Sequence, residues 1–279
     1  MTRLLIVNAD DYGLTRGVSR GILRAHREGI VTSVSILAVA PDFDAAARDL
    51  RAGGAGLGVG VHLAAVGEDP PLLRSAAIPT LTESDGRFPR GWKQFLGRSH
   101  RVSSGELEAE FAAQIQRVLD AGLSVDHLDA HQHLHLLGRV RAVVFSLARR
   151  FRIPAVRVPR GSGRRPAGLV VRWLARGLRG AVARAKLVTP DLCEGFDDSG
   201  RMSRGRLLRA IDRVARSGAS SAEILLHPGE AVDAERGRYN WGYDWAGDLA
   251  AALDPEVRSA VLRAGFRLGT YRDLPWGPR

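Results

Sequence analysis

Two adjacent carboxylates, Asp10 and Asp11, end an apolar run (Leu4-Leu5-Ile6-Val7) and are followed by Tyr12 and Gly13. Three more short apolar runs lead into histidines. Residues 57–62 end in His62, residues 125–129 run into His131-Gln132-His133-Leu134-His135, and residues 222–227 end in His227 before Pro228-Gly229. Neighbouring like charges are costly unless a cation lies between them or they face apart. Two histidines and a carboxylate can hold a divalent cation and leave positions open for water and substrate. A cation so held brings the pKa of bound water to about 7 and polarises a carbonyl, which is the chemistry of metal-assisted hydrolysis. Each residue has a plainer reading. Asp10 or Asp11 could cap the next helix, His62 could be a structural histidine, His227 a turn residue, and the histidine run a solvated loop. If extended, His131, His133 and His135 share one face. Taken together, at the same end of successive strands, these residues favour a metal site.

Such convergence needs parallel strands with their C-terminal ends on one side. The pattern predicts helices over 14–28 (Thr15 as N-cap), 41–50, 103–121, 139–152, 166–186, 202–217, 245–253 and 255–264. Strands are predicted at 4–7, 31–40, 57–62, 125–129, 153–158, 222–227 and 266–271. Alternation of strand and helix with short links predicts an α/β fold, a barrel of parallel strands in one domain over 1–279. Residues 65–103 interrupt the rhythm with Pro70-Pro71, Pro79, Pro89 and the aromatics Phe88, Trp92 and Phe95. This excursion is either a loop over the site or a segment packing its own small core.

Bulk properties narrow the class. A chain of 279 residues buries a sizeable core. Its single cysteine, Cys193, excludes an internal disulfide and a cysteine-based zinc site. No apolar run reaches membrane-span length, and the N-terminus lacks a signal-peptide pattern, so a cytoplasmic location is expected. The net charge is +11, and every basic residue except Lys93 and Lys186 is arginine. Between Asp129 and Asp191 there is no acidic residue, against 13 arginines and one lysine. Arg172, Arg176 and Arg179 recur at helical spacing opposite an apolar stripe of Val170, Val171, Leu174, Leu178 and Val182. This is either a membrane-surface contact or an outer helix with a solvated face. No aromatic-interleaved basic motif supports nucleic-acid binding. Arg157 and Arg160, at a strand end, are placed to reach substrate, and the 159–166 stretch reads as a mobile loop. Trp241, with Tyr243 and Trp245, either walls the cleft or packs in the core.

The segments Val7-Asn8-Ala9-Asp10-Asp11-Tyr12-Gly13, Gly60-Val61-His62-Leu63, His127-Leu128-Asp129-Ala130-His131-Gln132-His133-Leu134-His135, Val156-Arg157-Val158-Pro159-Arg160 and Glu223-Ile224-Leu225-Leu226-His227-Pro228-Gly229 resemble the YdjC-like carbohydrate deacetylases. That family includes chitooligosaccharide deacetylase and hopanoid-associated proteins. The resemblance spans essentially the whole chain. It implies a distorted (β/α) barrel of the glycoside hydrolase/deacetylase type and one divalent metal ion, zinc or magnesium, on Asp11, His62 and His131. It further implies Asp10 as catalytic base, His227 as general acid, and an N-acetylated sugar or glycoconjugate as substrate. Where the family often carries Thr or Asn after its first metal histidine, this chain has Leu63-Ala64-Ala65-Val66, which bears on the sugar rather than the reaction. Two other readings stand beside this one: a barrel metallohydrolase acting on another amide or ester, and a non-catalytic basic barrel that binds surfaces. Peripheral membrane contact and homodimer formation are compatible with either.

Overall fold

The computed structural model describes residues 2–161 and 166–275. Its strands are β1 (Arg3–Tyr12), β2 (Ser33–Ile36), β3 (Gly58–Leu63), β4 (His127–Ala130), β5 (Ala155–Val156), β6 (Leu192–Glu194), β7 (Ser221–Leu226) and β8 (Phe266–Leu268). They form one parallel sheet in the order β5-β4-β3-β2-β1-β7-β6, with β8 against β1. β1 organises the sheet. β7 pairs with it from Leu4 to Ala9, β8 pairs with Arg3 to Leu5, and β2 pairs higher up from Asn8 to Tyr12. The sheet curls into an incompletely closed barrel. Its edges β5 and β6 are not paired with each other among the described residues, and Val188 adds a single bridge to Ala155.

Nine described helices follow: α1 (Arg16–Arg27), α2 (Phe43–Gly53), α3 (Trp92–Arg98), α4 (Ser104–Asp120), α5 (Gly138–Arg150), α6 (Pro166–Arg184), α7 (Arg204–Arg216), α8 (Trp245–Leu253) and α9 (Pro255–Arg263). Their starts are encoded locally. The Thr15 hydroxyl accepts from Val18 N, that of Ser103 from Glu106 N, and the Asp254 carboxylate from Glu256 N ahead of Pro255. Neither Asp10 nor Asp11 caps α1, because Thr15 does.

Strand alternation sorts β1 into two faces. Leu5, Val7 and Ala9 join the main core beneath the helices. Leu4 and Ile6 turn the other way and pack with Ala155, Tyr271 and Leu274, which plug the foot of the barrel. Above the plug the same face carries polar side chains. Gly60 makes room for them, since a Cβ there would sit 2.2 Å from the His127 ring. That ring stacks on Tyr271 at 3.9 Å.

The 65–103 excursion packs largely into the core, because Ile78, Leu81, Phe88 and Phe95 are buried. Glu110 of α4 anchors its start by accepting from Leu72 N and Leu73 N. The buried apolar side chains described in α6 are Ala175, Leu178 and Val182, whereas Val170, expected on the inner stripe, is 57% exposed. Of the 159–166 stretch read as a loop, residues 162–165 lie outside the described residues.

Candidate active site

Consecutive strand residues normally face opposite ways, so Asp10 and Asp11 should not share a site. A bulge in β1 changes this. The β1–β2 register shifts between Ala9 and Tyr12, and Asp11 adopts a left-handed φ of 64°. Both carboxylates therefore reach one mouth, at the C-terminal edge of the sheet.

Asp11 Oδ1 lies 3.2 Å from His131 Nδ1 and 3.5 Å from His62 Nε2, yet it is buried without a hydrogen-bond partner among the described residues. An acceptor left this way inside a protein is costly unless something positive occupies the gap. His62 is pre-oriented, its Nδ1 meeting Asp129 Oδ1 at 2.8 Å, so Nε2 faces Asp11. A carboxylate behind a histidine is the usual arrangement around metal-bound imidazole. Asp11, His62 and His131 thus fit a divalent cation in donor type, spacing and unsatisfied charge. A second grouping, Asp10 with His62 and Asp129, fits less well because Arg157 already neutralises both of its acids.

Arg157 corrects the sequence expectation of substrate contact. Its side chain is 0% exposed and lies beneath the site. Nη1 and Nη2 donate to Asp10 Oδ2 and Oδ1 at 2.8 and 2.7 Å, Nη1 lies 2.5 Å from Asp129 Oδ2, and Nε donates to Glu223 Oε1 at 2.9 Å. Asn8 Nδ2 gives Asp10 Oδ1 a further bond at 2.7 Å. Burial pushes the Asp10 carboxyl up, but the Arg157 and His62 charges and the Arg157 hydrogen bonds together outweigh it and hold the group at about 2. Burial likewise raises Asp11, and the neighbouring His131, His62 and His227 bring it below 3.8. Burial lowers His62, but Asp129, Asp10 and Asp11 raise it to about 9, so a cation there competes with a proton.

His227 Nε2 stands 4.0 Å from Asp10 Oδ2 and 3.9 Å from Asp11 Oδ2. Its Nδ1 accepts from Gly200 N at 3.3 Å, which puts the proton of the neutral ring on Nε2, toward the carboxylates. Buried Asp248 accepts from His227 N and Met202 N and fixes the backbone there.

The histidine run is not extended. Residues His131–Leu136 form a 3₁₀ turn kinked at Gln132 (φ 50°) and His133 (φ 55°). His131 alone joins Asp11, whereas His133 packs on Phe196 and His135 Nε2 meets the Arg157 carbonyl. The aromatic segment divides. Trp241 lies 5.2 Å from His131 and is tied through Nε1 to Glu68, Tyr243 lies against His227, and Trp245 is buried in the core. Arg160 is exposed.

Sequence reasoning missed Asp129, Glu223, Asn8 and Ser35, whose hydroxyl accepts from Asn8 Nδ2 and donates to Asp129 Oδ2, as the groups that orient the site. Two signals were present. Asp129 follows His127 at strand period in β4, and Glu223 is a lone acid within the apolar run of β7.

A parallel, curled α/β sheet with a buried Asp-His-His group at its C-terminal edge defines the class. The family description "YdjC-like protein" matches residues 4–263, and the chain belongs to that family. It is 32% identical over 274 residues to a carbohydrate deacetylase of Geobacillus stearothermophilus, covering 98% of this chain and 99% of that one. It is also 32% identical over 280 residues to a chitooligosaccharide deacetylase of Klebsiella pneumoniae, covering 98% and 100%. A crystal structure from Enterococcus faecalis V583, provisionally described as a cellobiose-phosphate cleavage protein, superposes with a TM-score of 0.81 at 27% identity, covering 98% of each chain.

Proposed function

We propose that this protein is a metal-dependent hydrolase that removes the N-acetyl group from an amino sugar or glycoconjugate. The observation that carries this reading is the orphaned Asp11 Oδ1 between His62 Nε2 and His131 Nδ1, beside an Asp10 held away from it by Arg157. Its whole-length similarity to proteins named as carbohydrate deacetylases supports the substrate class. On this reading Asp11, His62 and His131 hold one zinc or magnesium ion, which supplies Lewis acidity toward the acetyl oxygen and a more acidic water.

The remaining chemistry belongs to the chain. Asp10, ionised and fixed by Arg157 and Asn8, takes the proton of the attacking water. Arg157 positions that base and does not touch substrate. In its protonated form His227 gives the Nε2 proton to the departing amine and is left neutral, and the proton that Asp10 took from water restores it. Trp241 forms the wall beside His131 against which a sugar face can rest. Exposures of 2% for Asp10, 1% for Asp11 and 5% for His227 keep bulk water from these groups.

Acetate release from a panel of N-acetylated sugars, measured with chelated and metal-loaded protein, tests the proposal. Release should require metal and vanish in Asp11→Ala and His131→Ala, both of which should also lose bound metal by elemental analysis. Asp10→Asn should keep the metal and lose about 100-fold or more in rate, the usual worth of a positioned base. Absence of both bound metal and acetate release would instead favour a binding protein on this fold.

A further inference from the structure

Helix α6 presents an outward face that nothing among the described residues covers. Leu169, Val170 and Trp173 are 56%, 57% and 73% exposed, and Trp173 is the most exposed tryptophan described. Continuing down the same face are exposed Arg176, Arg184 and Ala183, with half-buried Arg172 at its flank. None of these arginines is ion-paired with a described carboxylate. The helix and turn that α6 chiefly packs against, α5 and His131–Leu136, contain no acidic residue, and the acid that acts on α6, Asp191, serves Arg179, whose guanidinium also bonds the Pro190 carbonyl. Arg141 of α5 approaches α6 at Gly177, which extends the basic surface.

An apolar tip followed by unpaired arginines is the pattern of a helix that lies in the headgroup layer of an anionic bilayer. The tryptophan and aliphatic side chains enter the acyl boundary while the guanidinium groups remain with the lipid phosphates. A second copy of the same chain fits poorly, because two such faces would bring unpaired arginines together. α6 touches the His131–Leu136 turn that supplies His131, so a bilayer seated on α6 lies on an element joined directly to the site. A second exposed tryptophan, Trp92 (49%), stands on α3 with its backbone N–H bonded to Gln132 of the same turn that α6 touches.

We propose that the face formed by Leu169, Val170, Trp173, Arg172 and Arg176 docks the protein on an anionic lipid bilayer. This is independent of the reaction and is read without substrate. Full-length protein is sedimented with phosphatidylcholine vesicles and with phosphatidylcholine–phosphatidylglycerol vesicles. Binding is expected only to the anionic vesicles and should weaken with salt. Trp173→Ala with Leu169→Ala, and separately Arg172→Glu with Arg176→Glu, should each weaken it by about tenfold. Arg20→Glu with Arg48→Glu, which changes net charge equally on α1 and α2, should not. All three pairs lie on exposed or flanking positions and should retain the native circular dichroism and melting temperature. Equal loss in the control pair would reduce the effect to net charge and overturn the assignment, as would no binding to anionic vesicles. A dimer by analytical ultracentrifugation that Trp173→Ala dissociates would overturn it too, giving the face to a second copy.

Discussion

Arg157 carries the largest share of electrostatic order per residue. One fully buried guanidinium meets Asp10, Asp129 and Glu223. Removing one partner from a buried ionic group leaves uncompensated charge, which typically costs about 3–5 kcal/mol. Arg157→Ala should therefore unfold at markedly lower denaturant, and Arg157→Lys should fold better yet lose rate, since an ammonium cannot make the paired contact with Asp10. Asp10 predicts an acid limb as well. Its folded pKa of about 2 lies below the ordinary 3.8, so its contribution to stability is full above about 4 and is lost as pH falls through about 2. Comparing urea midpoints of Asp10→Asn and the parent across that window should show a flatter slope in the variant. The sequence displayed Arg157 at a strand end but not its direction, because whether a strand side chain meets solvent depends on what lies across the barrel.

Two segments enclose the mouth, and their contact is made by side chains. Tyr239 donates to Asp69 at 3.0 Å and Trp241 to Glu68 at 3.0 Å, clasping the 228–244 connection to the start of the 65–103 excursion. Burial raises the Asp69 carboxyl, so it depends on that hydroxyl. Tyr239→Phe should loosen the clasp, raise KM by about tenfold with a smaller change in kcat, and speed amide exchange over 239–243. The elements themselves were largely legible: β1, β3, β4 and β7 are short apolar runs, and α1, α4 and α9 announce their caps. Three features were not. α3 lies inside the stretch read as an irregular excursion. β6 has three residues, too few to show a period, and takes its pairing from β7 alone. The histidine run stayed open between an extended segment and a loop, because alternation alone does not set the backbone, and two left-handed residues fold it into a turn.

Across the whole molecule, the barrel is built from its first strand outward and closed below by its last residues. Tyr271, beyond the final strand, donates to Glu223 at 2.6 Å and so joins the plug at the foot to the ionic cluster under the mouth. The sequence contained every candidate ligand in order but no sign that Asp10 and Asp11 would turn the same way, since that depends on a backbone angle. This angle decides when the site is assembled. A left-handed Asp costs about 1–2 kcal/mol, and six residue pairs between β1 and β7 hold the strand from Leu4 up to Ala9, before the bulge, while β2 pairs with Tyr12 beyond it. The strain is thus settled during folding and does not await an ion. Asp11→Asn, whose side chain tolerates this conformation, should keep nearly the parental melting temperature, whereas Asp11→Val should lose at least that strain. If the proposed ion binds there, the site resembles a lock cut before its key arrives, and amide exchange over 10–13 should be unchanged when that ion is added.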